Sequence, residues 1–285
     1  MDQRIIDLYD TYTHGGMNRR AFLDRLAALA GSVAGATALL PILQNNYAHA
    51  QTVPENDARI TAETVDIPGA PGLKGYLAKP VNASAKLPTV IVIHENRGLN
   101  PHIKDVTRRM ATEGFVALGL DYLSPMGGTP ADEEKGREMI GQLKQPDVIA
   151  YGKAAVAYLK TRPDGNGKVG AIGFCWGGGA VNNLAVNEPD LSAGVAYYGG
   201  QPKAEDAPKI KAALMLHYAG LDERINAGIQ AFEAALKQAG KTYEIHMYEG
   251  ANHAFNNDTN AARYDKEAAD LAWRRTVGFL KKNLA

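Results

Sequence analysis

Residues 168–179 read KVGAIGFCWGGG, a short apolar run that ends in Gly-x-Cys-x-Gly with Cys175, the only cysteine of the chain, at its centre. The apolar run predicts a buried strand. The flanking glycines predict a turn so tight that the central residue is exposed at the start of the next helix. Unpaired backbone N–H groups at that helix N-terminus favour a thiolate. A lone cysteine is more often a small buried apolar side chain, but the glycine frame favours a nucleophile here.

Short β-branched runs alternate with longer helical patterns from about residue 58, which is typical of an α/β fold with a mostly parallel central sheet and helices on both faces. We predict a single domain over residues 51–285. The predicted strands are residues 60–67, 73–78, 89–94, 115–120, 169–174, 194–198, 213–218 and 243–248. The predicted helices include residues 103–113, 148–160, 225–238 and a closing amphipathic helix, 263–282.

Two later loops supply the acid and the base that a thiol nucleophile needs. Asp222 follows the strand 213–218, and His253 follows the strand 243–248. Taken alone, Asp222 is typical of a turn, and Glu223 is an adjacent alternative. His253 is the only one of seven histidines that lies on a late loop in this order. The order nucleophile, acid, histidine is that of α/β-hydrolases.

The strand 89–94 leads into a loop that begins Glu95-Asn96-Arg97-Gly98. In an α/β-hydrolase this loop supplies one backbone N–H of the oxyanion hole, and the residue after the nucleophile supplies the other. We therefore predict an oxyanion hole at Asn96 and Trp176. A surface ion pair is the alternative for Glu95 and Arg97.

Four motifs, HENRG at 94–98, GFCWGGG at 173–179, the Asp222 loop and GANHAF at 250–255, together resemble the dienelactone hydrolase family (carboxymethylenebutenolidases) over about residues 58–285. The resemblance implies an α/β-hydrolase fold and a triad of Cys175, His253 and Asp222. It also implies that Glu95 lies near the resting thiol and helps to set its ionisation. The implied reaction is hydrolysis of a small ester or lactone through an acyl-enzyme.

One position departs from the family pattern. The dienelactone-cleaving members carry an arginine four places after the catalytic histidine, and this chain has Asn257 there. A second substrate-binding arginine would fall near Lys135 or Arg137, and Arg97 is another possible anion anchor. The departure favours cleavage of an ester or lactone other than dienelactone itself.

Composition restricts the partners. The 31 basic and 31 acidic side chains cancel, so no overall field attracts nucleic acid or an anionic membrane. A single cysteine forms no internal disulfide, and the chain has no C-x-x-C or H-E-x-x-H spacing. We expect a small-molecule substrate and no metal or other cofactor. The oligomeric state stays open.

Residues 1–50 have the character of an export signal. NRRAFLD at 18–24 precedes an uncharged stretch over 26–43, and Ala48-His49-Ala50 offers a cleavage site before Gln51. Arg19 and Arg20 with Phe22 resemble a twin-arginine signal, which predicts a periplasmic protein without stable membrane association after processing. The alternative is a helical arm that stays attached to a cytoplasmic protein.

Three other functions compete with ester or lactone hydrolysis. The same thiol serves an acyl or thioester transferase, in which the acceptor is not water. A binding protein on a hydrolase scaffold is a second alternative, because fold does not determine function. A redox-sensing thiol is the third, although the chain lacks a second cysteine to resolve it.

Overall fold

A sheet of eight strands forms the centre of the computed structural model, which describes residues 1–83 and 85–285. The spatial order is β1-β2-β4-β3-β5-β6-β7-β8; β2 is antiparallel to both its neighbours, and the other neighbouring pairs are parallel. The strands are β1 (Ile60–Asp66), β2 (Lys74–Pro80), β3 (Leu87–Ile93), β4 (Val116–Asp121), β5 (Gly165–Phe174), β6 (Leu191–Tyr197), β7 (Ala213–Ala219) and β8 (Tyr243–Tyr248). All eight predicted strands are confirmed, and β5 and β6 begin a few residues earlier than predicted.

Helices cover both faces of the sheet, as the fold class requires. Along β3, Val90 and Val92 pack on one face while Ile91 and Ile93 pack on the other, and all four are fully buried. The helices of this part are α4 (Pro101–Thr112), α5 (Glu133–Gln142), α6 (Gln145–Lys160), α7 (Trp176–Asn187), α8 (Glu223–Asn226), α9 (Ile229–Gln238) and α10 (Lys266–Leu284). Helices α6, α7 and α9 pack against the face of Ile91, and α4 and α10 against the face of Val90.

Two helix predictions need correction. The predicted helix 225–238 is two helices, α8 and α9, which are separated at Gly228. A side chain at Gly228 would lie 2.3 Å from Oε1 of Gln201, so this position accepts only glycine without a shift. The closing helix begins at Lys266 rather than at residue 263, because the Asp265 side chain accepts a hydrogen bond from the N–H of Ala268 and caps it.

Residues 1–50, called here the N-terminal arm, contain three helices: α1 (Gln3–Thr13), α2 (Arg19–Leu29) and α3 (Val33–Leu43). Apolar side chains from all three form a separate buried cluster, in which Leu26 and Leu43 are fully buried. The arm is docked on the sheet domain. The backbone N–H of its residue Asn46 donates to the carbonyl oxygen of Thr259, and Nδ2 of Asn260 donates to the carbonyl oxygen of Leu43.

Among the described residues, no single helix is both long and apolar enough to cross a membrane. The pair formed by α2 and the segment Val33–His49 passes on length and composition, but it is bent by 113°.

Candidate functional site

The turn after β5 places Cys175 between the end of the strand and the start of α7. Cys175 has φ 55°, in the left-handed region, and Trp176 begins α7 directly after it. A Cβ on Gly173 would lie 2.1 Å from the carbonyl oxygen of Gly177, and one on Gly177 would lie 2.5 Å from the carbonyl oxygens of Ile93 and His94. The two glycines therefore permit the close packing of strand, turn and helix, and the predicted strand-turn-helix unit is confirmed. The predicted exposure of Cys175 is wrong, because its side chain is buried and in contact with His14.

Asp222 and His253 meet although 30 residues separate them. Nδ1 of His253 donates to Oδ2 of Asp222 at 2.5 Å, and both side chains are buried. Asp222 comes just after β7. Its side chain also accepts from the N–H of Ile225 and thereby caps the N-terminus of α8. His253 comes five residues after β8. Because β7 and β8 are neighbouring parallel strands, their following loops lie at one edge of the sheet.

Because Nδ1 of His253 is hydrogen-bonded to Asp222, Nε2 is the ring nitrogen that remains available to other groups. Nε2 is buried and has no hydrogen-bond partner among the described residues. One imidazole nitrogen of His253 lies within 4.8 Å of Sγ of Cys175. The predicted acid, base and thiol are thus brought together at one place.

The predicted oxyanion-hole groups are the backbone N–H groups of Trp176 and Asn96. Trp176 is the first residue of α7, so its N–H has no partner within the helix. The N–H of Asn96, in the loop after β3, likewise donates no backbone hydrogen bond within the described ranges. Both groups are free to donate to an oxygen that develops negative charge.

A second histidine, which the sequence prediction missed, contacts the sulfur of Cys175. Nε2 of His14, just past the end of α1, lies 3.2 Å from Sγ of Cys175. The His14 ring also meets the ring of His253 edge-on, with 4.7 Å between centroids. On its other side, Nδ1 of His14 donates to the carbonyl oxygen of Asp10 at 2.8 Å and lies 3.3 Å from Oδ1 of the same residue.

The ionisation of the thiol follows from these neighbours. Burial alone would raise the pKa of Cys175, but positive charge on His253 and His14 lowers it to about 5. Burial would lower the pKa of His253, but the thiolate, Asp10 and Asp222 raise it to about 10. Burial also opposes a charge on His14, yet the thiolate and the Asp10 contact raise its pKa above the usual value. These pKa shifts favour a thiolate beside an imidazolium at His253, and they make His14 easier to protonate than an ordinary imidazole.

The other predicted residues make contacts of their own. Glu95 is buried, and its Oε2 accepts from Nδ2 of Asn257 at 2.9 Å. Asn257, which stands where the family pattern has an arginine, is therefore hydrogen-bonded to Glu95. Within the described residues no hydrogen bond joins Glu95 to Cys175, so its effect on the thiol stays a prediction.

Arg97 and Arg137 contact the N-terminal arm. Nε of Arg97 lies 3.0 Å from Oε2 of Glu133, and its Nη2 donates to the hydroxyl of Tyr9. Nη1 of Arg137 donates to the carbonyl oxygen of Tyr12. The guanidinium also lies over the ring of Tyr12, with 4.4 Å between Cζ and the ring centroid. Their role in substrate binding stays a prediction, since neither lines the cavity beside the thiol.

A cavity of about 300 Å³ opens beside Cys175. Trp176, Ala180, Tyr198 and Ile225 are among the residues that give it a largely apolar wall. Arg224 lines it as well, and this arginine was also missed from the sequence. A larger groove of about 740 Å³ runs along α1. Three residues line both the groove and the cavity: His14, Arg224 and His253. The volume beside the thiol suits a small substrate.

Three side chains, those of His14, Cys175 and His253, each place one nitrogen or sulfur atom within 4.8 Å of the others. Among the described residues this spacing is close enough for the three atoms to hold one metal ion. A divalent cation held by these atoms would occupy the thiolate and both imidazoles. It would therefore block attack by the thiol rather than assist it.

Comparison with known proteins identifies the family of this chain. A family model described as the dienelactone hydrolase family matches residues 73–284. This chain belongs to the dienelactone hydrolase family. It is 32% identical over 246 residues to a "Putative carboxymethylenebutenolidase" of Saccharolobus solfataricus, a match that covers 74% of this chain and 94% of the relative. It is 33% identical over 226 residues to a "Probable 2-oxo-3-(5-oxofuran-2-ylidene)propanoate lactonase" of Bradyrhizobium, covering 73% and 89%.

The fold agrees with a solved member of the dienelactone hydrolase family. The crystal structure of a "Putative Dienelactone Hydrolase" from Klebsiella pneumoniae superimposes with a TM-score of 0.71 at 30% identity, covering 78% of this chain and 98% of that one. The α/β-hydrolase fold and the assignment to the ester and lactone hydrolases are thereby confirmed. A separate model, described as YqhI-like, matches residues 1–31, the part of the N-terminal arm that contains His14.

Proposed function

We propose that this dienelactone hydrolase family member cleaves small esters or lactones with the Cys175 thiolate as nucleophile and His253 and Asp222 as its acid-base pair. The observation that carries the proposal is that the strained Cys175, which lines the cavity, lies close to the imidazole of His253. Nε2 of that imidazole is buried, and its Nδ1 is hydrogen-bonded to Asp222. The resemblance of the chain to a lactonase and to carboxymethylenebutenolidases supports the substrate class.

The reaction begins when Sγ of Cys175 attacks the carbonyl carbon and the carbonyl electron pair moves to oxygen. The backbone N–H groups of Asn96 and Trp176 donate to this oxyanion. When the carbonyl re-forms, the bond to the alkoxide breaks, and the imidazolium of His253 gives that oxygen its Nε2 proton. The product of this half-reaction is a thioester on Cys175 and an alcohol, or the ring-opened hydroxyl of a lactone.

Water completes the cycle. Neutral His253 accepts a proton from water as the oxygen attacks the thioester carbonyl, and collapse of the second oxyanion releases the acid and the Cys175 thiolate. Asp222 keeps the remaining proton on Nδ1 of His253 throughout, which holds Nε2 toward the reacting atoms. The proton taken from water restores the thiolate-imidazolium pair.

The test is hydrolysis of a panel of short aryl esters and lactones, with and without a free carboxylate, by the wild type and Cys175→Ala. We expect Cys175→Ala to lose about four to six orders of magnitude in kcat, as triads act as units. Near wild-type turnover by this variant would exclude thiol catalysis. Binding of the panel without turnover in the wild type would favour a binding protein, and acyl transfer to an added alcohol or amine would favour a transferase.

Export to the periplasm through a twin-arginine signal stays a proposal from the sequence. Processing after Ala50 would give a mature chain that begins at Gln51. The intact mass of the protein purified from its native cells tests this, because a mature chain that retains residues 1–50 contradicts cleavage.

A further inference from the structure

His14 lies outside the residues that match the dienelactone hydrolase family, and the mechanism above does not use it. Yet it makes the one hydrogen bond to Sγ of Cys175 that the described residues provide, at 3.2 Å. At the same time Nε2 of His253 has no partner there. In the resting site, therefore, the sulfur is hydrogen-bonded to the histidine of the N-terminal arm rather than to that of the triad.

The contacts of His14 determine where its protons lie. Nδ1 faces the carbonyl oxygen and the carboxylate of Asp10, which accept hydrogen bonds, so Nδ1 carries a proton. A neutral ring with that proton has a bare Nε2, which would repel a thiolate. The nearby carboxylate favours the doubly protonated ring, and Nε2–H then donates to the sulfur.

Helix α1 is held against the site at both ends. At its start, Nε2 of Gln3 donates to Oδ1 of Asn252 at 2.6 Å, and Asn252 immediately precedes His253. At its end, Nδ2 of Asn96 donates to the carbonyl oxygen of Thr13 at 2.8 Å, and Asn96 belongs to the oxyanion loop. The arm thus contacts the residues that surround the thiol, and these contacts place the ring of His14.

We propose that His14 is a catalytic residue of the intact chain: its protonated ring donates from Nε2 to the Cys175 thiolate and keeps the sulfur ionised while Nε2 of His253 stays free for proton transfer. Asp10 holds His14 in this state. The inference rests on the proposed role of Cys175 as the nucleophile, and it makes residues 1–50 part of the active site.

The ionisation of the thiol also depends on the charged and titratable groups that face it from the surrounding elements. From the N-terminal arm they are Asp10 in α1 and His14 at the end of α1. From the sheet domain they are Glu95 after β3, Tyr198 after β6, Asp222 and Arg224 after β7, His253 after β8, and Arg263 before α10. Only the removal of His14 takes away the sole hydrogen-bond donor to the sulfur within the described residues.

Alkylation by iodoacetamide at a series of pH values measures the thiol directly, because Cys175 is the only cysteine. The rate follows the thiolate fraction. The midpoint of this profile is the pH at which the rate is half its maximum. We expect His14→Ala and His14→Gln to raise the midpoint by about 1 to 3 on the pH scale, the range that loss of a nearby opposite charge causes. Because the pKa of Cys175 starts at about 5, the rate at about pH 6 then falls about twofold for a rise of 1 and about a hundredfold for a rise of 3. A chelator is present throughout, because a cation on the thiolate would also slow alkylation.

His49→Gln is the matched control, since His49 is exposed and lies in the same arm; its midpoint should equal that of the wild type. Unchanged midpoints in both His14 variants would overturn the proposal. So would faster alkylation at every pH without a shift, because His14 would then only shield the thiol. If both His14 variants fail to fold by circular dichroism, Asp10→Asn decides: a raised midpoint supports the proposal and an unchanged one overturns it.

Alkylation needs no ester turnover, so failure of hydrolysis and failure of the His14 proposal are distinguishable. The mass of the chain from native cells adds an independent test. A mature chain that starts at Gln51 lacks His14 and overturns the proposal, whereas a chain that retains residues 1–50 supports it.

Discussion

Two histidine-aspartate pairs face the same sulfur atom, and they are built in different ways. His253 and Asp222 lie on loops after neighbouring parallel strands, so the central sheet positions them. His14 and Asp10 are four residues apart at the end of one helix, and only the docking of that helix brings them to Cys175. The first pair depends on the sheet, and the second depends on the N-terminal arm.

The hydrogen bonds of the two pairs differ as well. Nδ1 of His253 has the carboxylate of Asp222 as its only hydrogen-bond partner among the described residues. Nδ1 of His14 has a backbone carbonyl oxygen at 2.8 Å and a carboxylate oxygen farther away, at 3.3 Å. The carboxylate therefore controls the tautomer in the first pair, whereas in the second the backbone controls the tautomer and the carboxylate supplies mainly charge.

Removal of each carboxylate charge separates these two roles, and here we expect the largest effect. Asp222→Asn should lower kcat about 10⁴-fold, the loss that a wrong histidine tautomer causes in a serine-protease triad. Asp10→Asn keeps the backbone acceptor of His14, so at about pH 7 it should lower kcat by less than about twofold, because a thiol pKa that rises by about one from about 5 still leaves most of the thiol ionised. Steady-state hydrolysis of one neutral aryl ester measures both variants.

Thermal unfolding of the two variants is the control, because Asp10 also lies 3.4 Å from Nη1 of Arg263. Equal losses in kcat from two folded variants would contradict the distinction between a tautomer role and a charge role.

The pH dependence of kcat/KM should show the charges of both pairs. The pKa of Cys175 is lowered from 9.0 to about 5: burial opposes this, but the charges of His253 and His14 exceed the effect of burial. The thiolate is lost as the pH falls through that value, so activity should fall there. The pKa of His253 is raised to about 10, against burial, chiefly by the thiolate. The imidazolium that protonates the leaving group is lost above it. We expect a broad bell between these limits.

A stopped-flow or pH-jump assay of a neutral ester measures this profile without prolonged exposure to extreme pH. An acidic limb near 9, the ordinary value for a thiol, would contradict the proposed ion pair.

The two regions also differ in how well the sequence predicted them. The sequence predicted the fold and the arrangement at the sheet edge from local patterns with known geometric consequences. These patterns are the glycines around Cys175, the eight apolar strand runs, and the order Cys175, Asp222, His253. His14 and Asp10 have the spacing of neighbours on one helix face. That spacing does not say which surface the face contacts, since docking of the arm depends on tertiary packing.

Asn257 illustrates the same limit. The sequence showed that an arginine was missing four residues after His253, but the hydrogen bond from Asn257 to Glu95 joins residues 162 positions apart. Likewise, a basic sequence before an apolar stretch predicted an export signal. The structure adds that Phe22 of the basic sequence and Leu26 of the apolar stretch are buried in the packed arm.

Arg224 lies where the two pairs meet, and its expected effect is small. Its Nη2 is 3.8 Å from Oδ2 of Asp10, its side chain is 46% exposed, and it lines the cavity beside Cys175. It can therefore reach a substrate carboxylate that Arg97 and Arg137 do not reach from their own contacts. Arg224→Ala should raise KM about fivefold for lactones with a free carboxylate, the worth of an exposed ion pair, and leave neutral esters unchanged.

Arg137→Ala, measured on the same pair of substrates, compares the arginine that the sequence indicated with the one that lines the cavity. If Arg137→Ala alone changes the preference for a carboxylate, the substrate reaches across the N-terminal arm rather than into the cavity beside the thiol. If Arg224→Ala alone changes it, the anchor lies between the two histidine-aspartate pairs. Substrate recognition would then depend, like the thiolate, on the docking of residues 1–50 against the sheet domain.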